Sequence, residues 1–236
     1  MARAPVHCSL FTVHAFLERM PQPLRTDLQG LGFDPVEAVA YLTRADTELA
    51  AVIRQAGPFT LRPTRTQSLF AALLEAIVYQ QLHGRAAETI LGRVHALFAP
   101  RRHPRAEDLL RIPESTLRSA GLSRNKAAAL QDLARRVIDG TVPPLRSARG
   151  MSDEELIERL SAVRGVGRWT VEMLLIFRLG RPDVLPVTDL GIRKGFRKAF
   201  RMRRLPAVVT MVRRAERWRP YRSAASWYLW RAAERD

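Results

Sequence analysis

Apolar residues recur along this chain at three- and four-residue spacing, while alternation with polar residues over useful lengths is almost absent. Helices are therefore expected throughout and strands are not. The spacing predicts helices over roughly 35–55, 67–82, 84–98, 114–120, 123–139, 152–163, 168–179, 189–200, 206–217 and 221–234. Pro or Gly punctuates most gaps, as at Gly57-Pro58, Pro100, Pro104, Pro113, Gly121, Gly140, Pro143-Pro144, Gly180 to Pro182 and Pro206. The segments "LFAALLEAIVYQQL" and "VEMLLIFRLG" are apolar nearly all round, the mark of helices buried between other helices. The expected fold is all-α, with two helical lobes sharing a central cleft.

A chain of 236 residues with 47% apolar residues supplies an ordinary core, so neither disorder nor covalent staples are needed. The single Cys8 excludes an internal disulfide, a Cys-rich zinc site and a four-cysteine cluster from this chain alone. No run approaches the eighteen or so uncharged apolar residues of a membrane span, and the first residues lack an apolar signal core. A cytoplasmic, nucleoid-associated protein without membrane partners is expected.

Charge changes the picture most. Thirty-nine Lys and Arg against 23 Asp and Glu give +16. Such a surface attracts polyanions because each neutralised phosphate releases condensed counterions. An Arg-rich compositional bias gives the same total, so distribution matters more: Gly191 to Arg222 holds twelve Lys or Arg and one acid, Glu216.

Ser152-Asp153-Glu154-Glu155 has capping-box spacing, so a helix should start there. Arg164-Gly165-Val166-Gly167 breaks that helix, and Trp169 to Leu179 resumes as a second one. Glycines at 165 and 167 permit positive φ and remove the Cβ atoms that would keep an anion from the backbone, and the following helix begins with outward N–H groups at the positive end of its dipole. This combination binds phosphate. A plain helix cap is an equally good account of the glycines alone; Arg168 and Thr170 beside the turn favour phosphate.

The run "LSAVRGVGRWTVEMLLIFRLGRPDVLPVTDLGIRKGF" resembles the helix-hairpin-helix motif and following Gly/Pro-rich loop with catalytic Asp of the helix-hairpin-helix/GPD base-excision DNA glycosylases, above all the AlkA-like, 3-methyladenine DNA glycosylase II branch. Two more stretches are similar to the family, "AIVYQQLHGRAAETI" with Gln80 and "AERWRPYRSAASWYLWR", which extends the likeness over roughly 58–231. The resemblance implies a discontinuous lobe of 58–105 with 182–236, a lobe of 106–181 holding the hairpin, and an N-terminal helical extension, 1–57, packed on the first lobe. The extra N-terminal α/β domain of some AlkA-like proteins is not expected here.

The resemblance implies that the backbone at Gly165, Val166 and Gly167 holds a DNA phosphate, with Arg168 and Thr170 close by, and that Asp189 is catalytic. The chemistry suits a carboxylate: breaking an N-glycosidic bond leaves an oxocarbenium-like sugar, which a fixed anion beside C1′ stabilises. Read alone, Asp189 is equally a helix N-cap. Glu75, Glu172 and Asp183 fit the catalytic position less well.

A stacked base must be extruded before a carboxylate can reach its sugar. Trp230 and Trp169 are expected to wall the base pocket, with Met173 and Gln80; Met173 and Leu190 stand where some relatives carry tyrosine. An aromatic face suits cationic alkylated purines, which also leave readily without a strong general acid. The wedge that fills the vacated stack is expected at Arg124 or Leu122. Trp169 stands where bifunctional relatives carry a Schiff-base lysine, so base release without strand cleavage is expected. The resulting expectation is a monomeric, monofunctional glycosylase acting on double-stranded DNA with alkylated bases such as 3-methyladenine and 7-methylguanine. A glycosylase for other lesions and a non-enzymatic DNA-binding protein are the alternatives. No cofactor and no metal among side chains is expected, with an ion at the hairpin backbone left open.

Overall fold

The computed structural model describes residues 30–64, 66–101 and 103–235. These residues form α1 (Pro35–Ala45), α2 (Thr47–Ala56), α3 (Leu69–Tyr79), α4 (Gly84–Ala96), α5 (Ala106–Arg111), α6 (Glu114–Ser119), α7 (Arg124–Ile138), α8 (Leu145–Ala148), α9 (Asp153–Ser161), α10 (Arg168–Phe177), α11 (Leu190–Ala199), α12 (Val208–Ala215), a 3-10 turn at Glu216–Trp218, and α13 (Arg222–Glu234). No strand occurs among the described residues. The expected all-α class holds.

The helix expected over 35–55 is two helices. Asp46 ends the first, with its N–H on the Leu42 carbonyl, and starts the second by accepting from the N–H of Leu49. The carboxylate is a cap in the middle of an apolar stretch that periodicity alone reads as continuous. Helices α5 and α8 were not expected; the four residues of α8 are too few to show a 3.6-residue period. Capping is as expected at Ser152, whose hydroxyl accepts from Glu155 N at 3.2 Å.

The chain divides into two compact units, one of the described residues up to 64 with 175–235, the other of 65–174. The segment from α3 to α4, expected with the C-terminal lobe, groups instead with the hairpin. Its physical reason is that α3 buries Leu73, Leu74, Ile77 and Val78 and packs on α4 and α7 within that unit. Of the N-terminal extension expected at 1–57, residues 1–29 lie outside the described residues. The remainder forms α1 and α2, which pack against each other and against α13 in the first unit.

The first unit is centred on α11 against α13. A Cβ on Gly195 would lie 1.9 Å from the carbonyl oxygen of Leu229, and one on Gly191 would lie 2.9 Å from Trp230 Cδ1. Two glycines one turn apart thus strip one face of α11 down to backbone, and α13 comes in against it. Around this contact lie Ile192, Phe196, Trp218, Tyr228 and Trp230, all nearly closed to solvent.

In the same unit Asp46 is a buried charge. It accepts from Arg214 Nε and Nη2, both at 2.9 Å, and from Trp218 Nε1 at 3.0 Å. Burial would raise its pKa, but the Arg214, Leu49 and Trp218 hydrogen bonds outweigh that and hold the carboxyl below its ordinary value.

Candidate active site and DNA interface

Asp189 reaches its position through a loop riveted to α13. Ser223 Oγ accepts from Val184 N at 3.0 Å, Ser226 Oγ donates to the Val184 carbonyl at 3.1 Å, and Ser223 N donates to the Pro182 carbonyl at 2.9 Å. Asp183 accepts from Arg222 Nε at 2.6 Å and from Arg219. That places Asp183 as an anchor of the loop and leaves Asp189 as the carboxylate at its end. The turn closes with Asp189 N on the Pro186 carbonyl at 3.0 Å.

Asp189 is the N-cap of α11 and 1% exposed. Its Oδ1 accepts from Ile192 N at 2.8 Å and from Trp230 Nε1 at 2.9 Å. Both sequence accounts of this residue are therefore compatible: the cap holds the carboxylate at the positive end of a helix, where a fixed anion is at its most stable. The indole of Trp230 is 2% exposed and lies against Phe177, ring centroids 5.4 Å apart. Trp230, expected as a wall of the base pocket, presents its N–H edge to the carboxylate. Gly191 is a part of this arrangement that sequence reasoning missed. The signal was available in "GIRKG", two glycines at i and i+4 on one helical face.

The second unit carries the hairpin. Gly165 has φ +77°, so its glycine is conformational. Gly167 is different: its φ lies outside the left-handed range, and a Cβ there would meet nothing within 4 Å. The fold therefore does not require glycine at 167. Val166 N donates to the Val163 carbonyl at 3.0 Å, Gly167 O accepts from Val171 N at 3.2 Å, and α10 begins at Arg168. Thr170 is half-buried in its first turn, Trp169 is half-buried and Met173 is buried.

Two of the expected site side chains bond within the protein. Arg168, expected beside the phosphate, engages carboxylates: Nε donates to Glu172 at 3.0 Å, and Nη1 and Nη2 form a fork with Glu154. Those bonds, with Glu154 foremost, raise its pKa further. A two-point carboxylate fork is geometrically satisfied, so the side chain serves to fasten α10 to α9. Gln80, expected in the base pocket, ends α3 and donates from Nε2 to the Gly165 carbonyl at 2.9 Å.

Sequence reasoning also missed Lys126. From the first turn of α7 its ammonium donates to the carbonyls of Val78, 2.8 Å, and Gln80, 2.6 Å, at the negative end of α3. Burial lowers its pKa. Arg164 in the hairpin bonds Asp132 through its N–H at 2.8 Å. Hairpin, α3 and the start of α7 are thereby tied together. The two wedge candidates separate cleanly: Leu122 is 4% exposed and belongs to the core, while the Arg124 side chain is 77% exposed, with Glu114 at 3.9 Å.

Among the described residues no group of three His, Cys, Asp or Glu could hold a metal ion, and no helix is long and apolar enough to cross a membrane.

The all-helical fold agrees with what comparison finds. The model of the HhH-GPD superfamily of base excision DNA repair proteins matches residues 74–220. The chain belongs to that superfamily. It is similar to DNA-3-methyladenine glycosylase 1 of Schizosaccharomyces pombe, 36% identical over 208 residues that cover 84% of this chain and 90% of that protein. It is also similar to the putative DNA-3-methyladenine glycosylase YfjP of Bacillus subtilis, 32% identical, covering 71% and 60% of the two chains. Among solved structures, the S. pombe 3-methyladenine DNA glycosylase in complex with abasic DNA superposes with a TM-score of 0.70 at 36% identity, covering 83% of this chain and 95% of that one. The DNA-3-methyladenine glycosidase of Bacillus halodurans gives 0.76 at 33% identity, covering 84% and 89%.

Proposed function

We propose that this protein is a monofunctional DNA glycosylase that removes alkylated bases such as 3-methyladenine and 7-methylguanine from double-stranded DNA and leaves an abasic site. The observation that carries the reading is Asp189: a buried carboxylate held at a helix N-terminus by two donors on one oxygen. Support for the substrate comes from the relatives whose names carry 3-methyladenine.

The hairpin backbone at Gly165 to Gly167 takes a DNA phosphate, with the open face of Gly167 giving close approach. The target nucleotide leaves the stack and Arg124 stands at the duplex in its place. As the C1′–N bond breaks, its electron pair passes to the base, and a base that entered cationic through alkylation departs neutral. The sugar becomes oxocarbenium-like, and the Asp189 carboxylate stabilises that charge. Water then adds to C1′ and gives up a proton, with the carboxylate as its acceptor. The remaining electrostatic support comes from exposed arginines around the fold, which serve duplex of any sequence.

The test is excision from oligonucleotides carrying 3-methyladenine or 7-methylguanine, with heat or alkali used to cut at the product. Wild-type protein is expected to release the base and leave the strand whole, and Asp189→Asn to release none. Borohydride trapping is expected to give no protein–DNA adduct, because Trp169 stands at the lysine position. Full excision by Asp189→Asn sinks the mechanism, and a trapped adduct sinks the monofunctional reading.

A further inference from the structure

We infer that Trp230 is the positioning residue for the catalytic carboxylate, acting through its indole N–H, and that Gly191 is the vacancy that lets it do so. The inference rests on the glycosylase reading of Asp189 and changes the task of Trp230 from lining the base to aiming the charge. Three observations carry it. Trp230 Nε1 donates to Asp189 Oδ1 at 2.9 Å, on the same oxygen that caps α11 through Ile192 N. The indole and the carboxylate are 2% and 1% exposed, so no water competes for the bond. A Cβ at 191 would stand 2.9 Å from Trp230 Cδ1, 3.2 Å from Nε1 and 3.0 Å from Asp189 Oδ1, inside the approach of both partners at once.

A short buried anion needs a rigid donor frame, because a carboxylate that rotates away from C1′ must be brought back before each turnover. The backbone N–H of Ile192 fixes one oxygen along the helix axis, and the indole fixes it from the side. Phe177 packs on the indole and holds the ring plane, with centroids 5.4 Å apart. The ring is set by its neighbours, and the carboxylate by the ring.

A wall and an aiming residue respond differently to Trp230→Phe, which keeps an aromatic face and deletes the donor. Loss of a hydrogen bond to a charged group predicts a fall of about ten- to hundred-fold in the single-turnover excision rate. The factor should be the same for 3-methyladenine and 7-methylguanine, and the dissociation constant for abasic duplex should stay within about two-fold of wild type. Gly191→Ala, which keeps the indole but crowds it off Oδ1, should slow excision in the same lesion-independent way. The double variant should be no slower than the slower single, since both remove one interaction. Thermal unfolding of each variant identifies any that fails to fold, and the other single variant then carries the test.

An unchanged rate in Trp230→Phe overturns the inference, as does a loss confined to one lesion, which marks a pocket wall. If wild type excises nothing, the glycosylase reading itself fails, and if Asp189→Asn is fully active, the catalytic assignment of Asp189 fails. Either outcome is distinct from normal rates in Trp230→Phe beside a dead Asp189→Asn.

Discussion

Gln80 and Gly165 lie 85 residues apart in sequence, and the side-chain amide of one donates to the backbone carbonyl of the other at 2.9 Å. The bond pins the turn of the hairpin to the C-terminus of α3, and the carbonyl of Gln80 is itself held by Lys126. A phosphate-binding turn works only if its N–H groups keep their direction. Gln80→Leu is therefore expected to weaken binding of undamaged and abasic duplex about five-fold, the value of one neutral hydrogen bond. The excision rate at saturating protein should not move. Fluorescence anisotropy with both duplexes checks this, and a variant slowed only in chemistry would return Gln80 to the base pocket.

The two hairpin glycines should come apart under substitution. Gly165 has φ +77°, so Gly165→Ala is expected to cost about 1–2 kcal/mol of folding stability. Gly167→Ala is expected to leave the melting temperature unchanged, since its Cβ enters open space. It should nevertheless weaken damaged and undamaged duplex alike, by roughly ten-fold for one lost phosphate hydrogen bond. Denaturant melts beside anisotropy separate the two effects. A Gly167→Ala variant that binds as wild type would remove the phosphate from this turn.

Arg168 was legible as a cation beside a phosphate turn, and its carboxylate partners were not. Because all three of its guanidinium nitrogens face Glu154 or Glu172, Arg168→Ala should leave the salt dependence of DNA binding almost intact. A true phosphate contact would reduce the slope of log K against log salt by about one. The expected cost falls on folding instead, about 1–3 kcal/mol, because buried Glu172 loses one partner. Titrations at several salt concentrations decide the matter.

Asp46 gives the fold a pH dependence with a definite sign. Its carboxyl pKa is lowered in the folded state, since the Arg214, Leu49 and Trp218 bonds exceed the cost of burial. Its stabilisation is then fully present above the ordinary carboxylate range and is lost as pH falls through the depressed folded value. Asp46→Asn should cost about 3 kcal/mol at neutral pH, as expected for breaking a buried ion pair from one side. The gap between variant and wild type should narrow below about pH 4. Chemical denaturation at pH 7 and pH 3 measures it, and a constant gap would contradict the assignment.

How much of this was legible from the chain alone follows from the range of the forces involved. Helices such as α7 and α13 were found because burial writes a 3.6-residue period, and the capped start at Ser152 because a cap is a local bond. Gly165, Gly167 and Asp189 could be singled out because they lie in one contiguous motif. What escaped depends on partners distant in sequence. Asp46 looks like one polar residue in an amphipathic helix until Arg214 and Trp218 arrive, and Gln80 looks like a site residue until Gly165 does. Gly191 is the intermediate case, since its spacing to Gly195 announces a close helix approach without naming Trp230 as the neighbour.

Leu122 and Arg124 stand two residues apart, and only burial tells their tasks apart. Leu122 is 4% exposed, so Leu122→Ala should cost about 2–5 kcal/mol through lost burial and the cavity left behind, with excision by the folded fraction unchanged. Arg124 opens α7 with 77% of its side chain in solvent and a carboxylate no nearer than Glu114 at 3.9 Å. An ion pair that long and exposed adds little, so Arg124→Ala should stay within about 0.5 kcal/mol of wild-type stability. If its guanidinium fills the stack that the extruded base leaves, the variant must extrude the base without that compensation. The equilibrium for flipping then shifts back toward the stacked duplex, and excision slows while binding to abasic duplex weakens. Fluorescence of 2-aminopurine next to the lesion reports the unstacking directly. An Arg124→Ala variant that unstacks and excises like wild type would move the wedge off this loop.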